Sequence, residues 1–262
     1  MLRTYKSELI RFRRTALIGA GIMAAFTALI TTLTFVGFDE PTGPGAGRGP
    51  GSVVTDLASI DGLMAGLASA ATMIGIVALA LFATSVARDY ERGTIRQLLV
   101  GEPRRAFVLG GKLAALVTVV VAGVAVSAII GIGAAFALAP IADVSTAAWT
   151  TNAAVSAAIS TAVNVTIATM VWGLAGAVLA MVTRSASTAI TAGIGYLLVG
   201  EPLLTLVWDT SSDWLVSGTL STFTDGGTAL VSYGQSAVLL TLYAATFVAA
   251  TFVVFSRRDI TD

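Results

Sequence analysis

The chain has 262 residues, of which 56% are hydrophobic and 11% are charged, and its mean hydropathy is +0.88. This composition excludes an ordinary soluble domain and predicts one all-α integral membrane domain over residues 1–262. The lack of cysteine excludes disulfides and thiolate metal sites, and the lack of histidine removes the commonest proton shuttle and metal ligand. Fifteen basic residues balance fifteen acidic ones, so no net charge favours binding to nucleic acid.

The first segment, residues 2–14, mixes basic residues with apolar ones. Leu2, Tyr5, Leu9 and Phe12 fall on one side of a helix. This pattern predicts an N-terminal helix at the membrane interface. The apolar run that follows has no short hydrophobic core with a cleavage site, so we interpret it as a retained first span.

Six spans are predicted from the gaps between charged residues. An ionisable side chain at the bilayer centre costs about 2.5–3.5 kcal/mol, and a spanning helix needs about 20 residues. Charge-poor stretches of this length predict spans at about 15–38, 62–87, 107–138, 152–183, 186–207 and 235–256. Residues 208–233, between the last two spans, carry polar residues and aromatics and predict short helices that dip into the outer leaflet.

The basic residues predict the orientation of the spans. Fourteen of the fifteen fall on the side that holds both termini, and only Arg48 lies on the other. Because basic loops stay in the cytoplasm, we expect both termini to be cytoplasmic.

The loop between the second and third predicted spans is the most charged part of the chain. It contains a helical pattern over 94–100, with apolar Ile95 and Leu98, which Gly101 and Pro103 bring to an end. A short amphipathic helix held beneath a membrane by two spans is a plausible docking element for a soluble partner. A solvated turn with ordinary positive-inside charges would give the same pattern, and the residues alone leave both interpretations open.

The run from Arg88 to Ile95 (Arg-Asp-Tyr-Glu-Arg-Gly-Thr-Ile), followed by Pro103-Arg104-Arg105 and Gly111-Lys112, resembles a known family. It is similar to the membrane subunit of bacterial ATP-binding cassette exporters, in the type-two permease family. The resemblance implies six spans, a coupling helix between spans 2 and 3, and a place in the bacterial plasma membrane. It also implies that this loop packs on a separate ATPase.

The partners that the resemblance implies are two copies of an ATPase subunit and a second permease subunit, in addition to membrane lipid. The residues expected at the ATPase contact are Asp89, Glu91, Arg92, Gly93, Thr94, Ile95 and Leu98. The chain has no phosphate-binding loop of its own, because Gly111-Lys112 is followed by Leu113 where a hydroxyl residue is needed. We therefore expect a transport subunit and not an enzyme, with no cofactor on this chain and with ATP and Mg²⁺ on the partner.

Two polar residues in the predicted spans are candidates for a transport path. Glu201 is the only carboxylate inside a span, and Pro202 should kink or end the helix there. Glu201 either faces the path, makes a hydrogen bond between helices near an external gate, or marks the span's end. Asn164 either lines the path or makes a hydrogen bond between helices. The glycines in 173–177 and 192–195 permit close helix contacts, within the chain or across a dimer.

Besides an exporter, three other functional classes of membrane protein come into question. An ion-coupled secondary transporter usually has ionisable residues at mid-membrane, and here only Glu201 is available. An intramembrane protease is excluded because the chain has no histidine and no span with a pair of aspartates. A membrane assembly factor that transports nothing stays open as an alternative.

Overall fold

The computed structural model describes residues 2–36, 57–91, 105–208, 214–228 and 231–257. Within these ranges the chain forms helices and no strand. The helices are α1 (Leu2–Val36), α2 (Ala65–Glu91), α3 (Arg105–Leu138), α4 (Asn152–Thr183), α5 (Ala186–Val207), α6 (Val216–Thr224) and α7 (Tyr233–Arg257). Single 3₁₀ turns at Gly62–Met64 and Ala147–Thr150 precede α2 and α4.

Six of these helices are long and apolar enough to cross a membrane, as the charge pattern predicts. The predicted and observed helix bounds agree most closely for α4 and α5, whose first turns are capped by polar side chains. The Thr151 hydroxyl accepts from the Ala154 N–H at 3.2 Å and begins α4. Arg184 ends α4 in a left-handed conformation (φ 56°), and the Ser185 hydroxyl then begins α5 by accepting from the Thr188 N–H.

The N-terminal segment is helical, as predicted, and its position at the membrane interface stays a prediction. Residues 2–14 continue into the first span as one helix, α1. The beginning of α1 contacts α3 through side chains: the Tyr5 hydroxyl is hydrogen-bonded to the Thr118 hydroxyl, and Glu8 pairs with Lys112.

The helices divide into a central pair and a periphery. Within their most apolar windows, α2 is 67% buried and α4 is 56% buried, whereas α5 and α7 are each 11% buried. Helix α1 packs along α3, and α2 packs along α4. The core of the described chain therefore lies around α2 and α4, and α5 and α7 expose most of their apolar surface.

Close contact between the central helices depends on glycine. A Cβ at Gly176 of α4 would lie 2.4 Å from the Leu79 carbonyl oxygen of α2, and a Cβ at Gly75 would lie 2.4 Å from the Trp172 ring. Gly193 of α5 likewise faces the Leu79 side chain. These glycines serve packing within the chain, because each faces a neighbouring helix of the same subunit.

Helix α5 continues through Pro202 to Val207, so of the two predicted outcomes, a kink or an end of the helix, the end is wrong. Residues Tyr196–Gly200 form a π-helical turn directly before Glu201, and the Glu201 N–H bonds the Tyr196 carbonyl five residues back. Proline has no N–H and its ring collides with the preceding turn of an α-helix. The wider π turn relieves this collision and lets the helix continue to Val207.

Candidate functional site

A ring of four charged side chains joins α1, α2 and α3 at one end of the bundle. Glu8 and Arg11 come from α1, Asp89 from the end of α2, and Lys112 from the beginning of α3. We call these four residues the ionic ring. It fixes both flanks of the 92–104 segment, because Asp89 lies just before that segment and Lys112 lies shortly after it.

Acidic and basic groups alternate around the ionic ring. The Lys112 ammonium pairs with the Asp89 carboxylate and lies 3.6 Å from Glu8 Oε2. The Arg11 guanidinium completes the circuit, 2.9 Å from Asp89 Oδ1 and 3.5 Å from Glu8 Oε1. Lys112 Nζ also lies 5.6 Å from the centre of the Phe12 ring, at a distance that suits a cation–π contact.

Because most of the ionic ring is buried, each of its charges needs a neighbour of opposite charge. Glu8, Asp89 and Lys112 are each less than 9% exposed, and only Arg11 is partly open, with 32% of its side chain exposed. Buried charges of this kind are tolerated when each has an opposite partner, and removing one partner leaves an uncompensated charge. The ring is electrically neutral as a unit, so it can lie among apolar helices without a net charge.

The predicted ATPase-contact residues divide between described and undescribed parts of the chain. Asp89 has its carboxylate in the ionic ring, facing Lys112 and Arg11. Glu91 is the last residue of α2. The others lie outside the described residues: Arg92, Gly93, Thr94, Ile95 and Leu98. Contact with an ATPase stays a prediction for all seven, and for Asp89 the described contacts are within the chain.

Glu201, a candidate for the transport path, lies at the other end of the bundle. Its side chain is 5% exposed. Oε1 accepts from the Ser217 N–H at 3.1 Å, Oε2 accepts from the Ser217 hydroxyl, and the Tyr196 hydroxyl donates a third hydrogen bond. Ser217 lies in the first turn of α6, whose N–H groups have no partner within the helix. Glu201 therefore binds the N-terminal end of α6.

Asn164, the second candidate, binds the C-terminal end of the same helix. Its Nδ2 donates to the Phe223 carbonyl at 3.2 Å, and its Oδ1 accepts from the Tyr233 hydroxyl at 3.0 Å. The Phe223 and Tyr233 rings stack, with centroids 5.0 Å apart. Glu201 and Asn164, which we call the α6 anchors, thus hold α6 at its two ends. Both side chains are buried, and their place in a transport path stays a prediction.

Sequence reasoning did not find the ionic ring or the α6 anchors as units. A signal for the ring was present, because Lys112 falls inside the predicted third span and an ionisable residue there needs a partner. The predicted short helix between the last two spans is confirmed as α6. Nothing in the local pattern, however, indicated that Asn164 and Glu201 both bind it.

The contacts described at the two sites are ion pairs and hydrogen bonds. Among the described residues, no group of three or more acidic side chains is placed to hold a metal ion. Both arrangements suit the control of helix positions.

Comparison with known proteins gives a family without an assigned activity. The model of the family described as "Protein of unknown function (DUF2705)" matches residues 49–261, which include five of the six long apolar helices, both α6 anchors, and Asp89 and Lys112 of the ionic ring. A search of curated proteins found no match. Since the match covers most of its length, the chain belongs to the DUF2705 family.

Proposed function

We propose that this chain is the membrane permease subunit of an ATP-driven exporter. In this proposal it forms part of a substrate path through the bacterial plasma membrane, with both termini in the cytoplasm. It pairs with a second permease subunit, and two copies of a separate ATPase dock on the 88–105 segment. The all-helical fold with six apolar helices is the architecture that such a role requires.

The observation that carries the proposal is the ionic ring at the base of the 92–104 segment. A docking segment can transmit a movement only if its two flanks are firmly joined to the helices that must move. Asp89 and Lys112 join the two flanks to each other, and Glu8 and Arg11 join both to α1. A push on the segment would therefore reach α1, α2 and α3 together. A merely solvated turn has no need of this buried attachment.

Copurification with an ATPase subunit tests the proposal, and an ATPase encoded adjacent to this gene is the partner that we expect. The apolar Leu98 and the acidic Glu91 lie in the predicted docking segment. Truncation or reversal at the centre of such a contact typically costs more than about 1 kcal/mol of binding. We expect Leu98→Asp and Glu91→Arg to reduce copurification about tenfold or more, since about 1.4 kcal/mol is a factor of ten.

A matched control is available in the turn between α4 and α5. Arg184 is exposed on the same end of the bundle, so Arg184→Glu changes the charge there without touching the docking segment. This variant should bind the ATPase like the parent, and all variants should insert in the membrane. Equal binding by Leu98→Asp, Glu91→Arg and the parent would contradict the proposal.

One observation favours a second candidate, an ion-coupled secondary transporter. Glu201 is a buried carboxylate in a span, and no lysine or arginine occurs anywhere in residues 185–256. Carboxylates of this kind bind coupling ions in secondary transporters. Transport by the purified chain in vesicles, driven by an ion gradient in the absence of ATP and ATPase, would select this candidate over the exporter.

A further inference from the structure

The environment of Glu201 contains hydrogen-bond donors and no positive charge. Its partners in the described structure are the Ser217 N–H and the hydroxyls of Ser217 and Tyr196. No lysine or arginine occurs in residues 185–256. At the opposite end of the bundle, by contrast, the buried acids Glu8 and Asp89 each have a cationic partner in the ionic ring.

A buried carboxyl group without a counter-charge is more stable neutral than ionised, because moving the charge out of water costs several kcal/mol, whereas the positive N-terminal end of α6 offsets about 2 kcal/mol at most. The protonated form also fits the hydrogen bonds that are present. One carboxyl oxygen can still accept from the Ser217 N–H, while the protonated oxygen donates to the Ser217 hydroxyl oxygen. The contacts that hold α6 therefore persist when Glu201 takes up a proton.

Other titratable groups near α6 do not supply the missing charge. Tyr196 is on α5 beside Glu201, and Tyr243 on α7 donates its hydroxyl hydrogen to the Trp214 carbonyl. Helix α4 carries no charged residue, and α2 carries none before Arg88. Asp225 follows the C-terminal end of α6 and would add a second negative charge. Asp209 and Asp213 fall outside the described residues.

From this geometry we infer that Glu201 is a proton-binding site that controls the docking of α6. With the proton bound, α6 lies against α4 and α7 and buries Thr219, Leu220 and Phe223. Loss of the proton leaves an uncompensated charge in the buried site, and water reaches that charge when α6 moves away. Docking is thus favoured at low pH and weakened as the pH rises, as linkage requires for a group that binds its proton more tightly when buried.

Because the chain contains no cysteine, single cysteines can report the position of α6. Thr219 is 1% exposed, whereas Ser221 on the same helix is exposed. The purified chain is placed in lipid vesicles without any ATPase, and Thr219→Cys and Ser221→Cys are labelled with a membrane-impermeant maleimide. The ratio of the two labelling rates corrects for the effect of pH on thiol chemistry and measures undocking of α6.

We expect this ratio to rise roughly tenfold between about pH 5.5 and about pH 8.5, the range over which buried carboxyl groups titrate. In the Glu201→Gln background the ratio should stay low and flat, because glutamine is a neutral isostere. Asn164→Ala should raise the ratio at every pH and keep its pH dependence, and Asp225→Asn should leave the pH dependence unchanged. A flat ratio in the parent background would overturn the inference, as would a ratio that rises with falling pH or a pH dependence that survives Glu201→Gln.

The inference does not rest on the proposed exporter function. The labelling experiment contains no ATPase and measures no transport, so its failure would leave the exporter proposal intact. Failure of the ATPase to copurify would likewise leave the proton site intact.

Discussion

The two ends of the bundle hold their buried acidic groups in different ways. At one end, Glu8 and Asp89 are neutralised by Lys112 and Arg11 in the ionic ring. At the other end, Glu201 has only N–H and hydroxyl partners. The ring joins three long helices, whereas Glu201 and Asn164 hold one short helix, α6. An alternating ring of charges favours a fixed junction, and a carboxyl group without a cation favours a contact that can be released.

The largest expected effect concerns the orientation in the membrane, that is, which end of the helix bundle faces the cytoplasm. The end with the ionic ring carries fourteen of the fifteen basic residues, and such residues stay on the cytoplasmic side. A reporter fused after Gly101 should therefore be active as a cytoplasmic reporter, and one fused after Gly45 as an external reporter. A cytoplasmic signal at Gly45 would contradict both the orientation and the assignment of Glu201 to the external half.

Removal of the buried lysine from the ionic ring should have the next largest effect. Lys112→Met leaves two buried carboxylates with only Arg11 between them, and breaking a buried pair in this way costs about 3–5 kcal/mol. The loss should appear as a lower thermal unfolding midpoint in detergent. The only other lysine of the chain, Lys6, is exposed, so Lys6→Met is a matched control and should leave the midpoint unchanged.

A triple variant tests whether unbalanced charge causes the loss of stability in Lys112→Met. Adding Glu8→Gln and Asp89→Asn to Lys112→Met removes both buried carboxylates and leaves only the partly exposed Arg11 charged, so the midpoint should recover most of its loss. If the triple variant is less stable than Lys112→Met alone, the ring does not act as a balanced unit.

Substitutions of Asn164, which binds the C-terminal end of α6, should have an intermediate effect on stability. Asn164→Ala removes two hydrogen bonds from a buried site and should cost about 1–3 kcal/mol. Asn164→Asp should cost more, because a carboxylate cannot donate to the Phe223 carbonyl and the C-terminal end of a helix is negative. Asn152 begins α4 and is exposed, so Asn152→Asp places the same change at a positive helix end and should be neutral or slightly stabilising. Thermal unfolding measures all three; Asn164→Asp no worse than Asn164→Ala would contradict this account.

The exposed member of the ionic ring should give the smallest effect. Arg11 is partly open to solvent, so Arg11→Ala should cost about 1 kcal/mol or less, and the cost should shrink at high salt because exposed pairs are screened. Arg13 is exposed on the same helix without a described ion pair, and Arg13→Ala should not change the unfolding midpoint. A loss at Arg11 equal to that at Lys112 would show that burial does not set the energies of the ring.

The spans could be predicted from the sequence because their signal is local. A charge inside a bilayer is costly, so the charge-free stretch 152–183 and the stretch 186–207, in which Glu201 is the one charged residue, coincide with α4 and α5. The helix does not end at Pro202, which was one of the two predicted outcomes, because a π turn directly before Glu201 can accommodate a proline.

The sites could be predicted only in part because they are made by distant residues. Glu201 and Asn164 were recognised as unusual polar residues in apolar spans, but their common partner α6 depends on the fold. The ionic ring joins Glu8 to Lys112 and Asp89, and no periodic pattern specifies which cation meets which acid across three helices.

The central functional claim is that ATP hydrolysis takes place on another polypeptide and is coupled to this chain through the 88–105 segment. The most direct test is the rate of ATP hydrolysis in lipid vesicles that contain the chain alone, the adjacent ATPase with the chain, or the ATPase with the Leu98→Asp variant. We expect no hydrolysis by the chain alone, hydrolysis by the complex, and at least a several-fold change in that rate with Leu98→Asp. Hydrolysis by the chain alone, or a rate in the complex that is indifferent to Leu98→Asp, would contradict the claim.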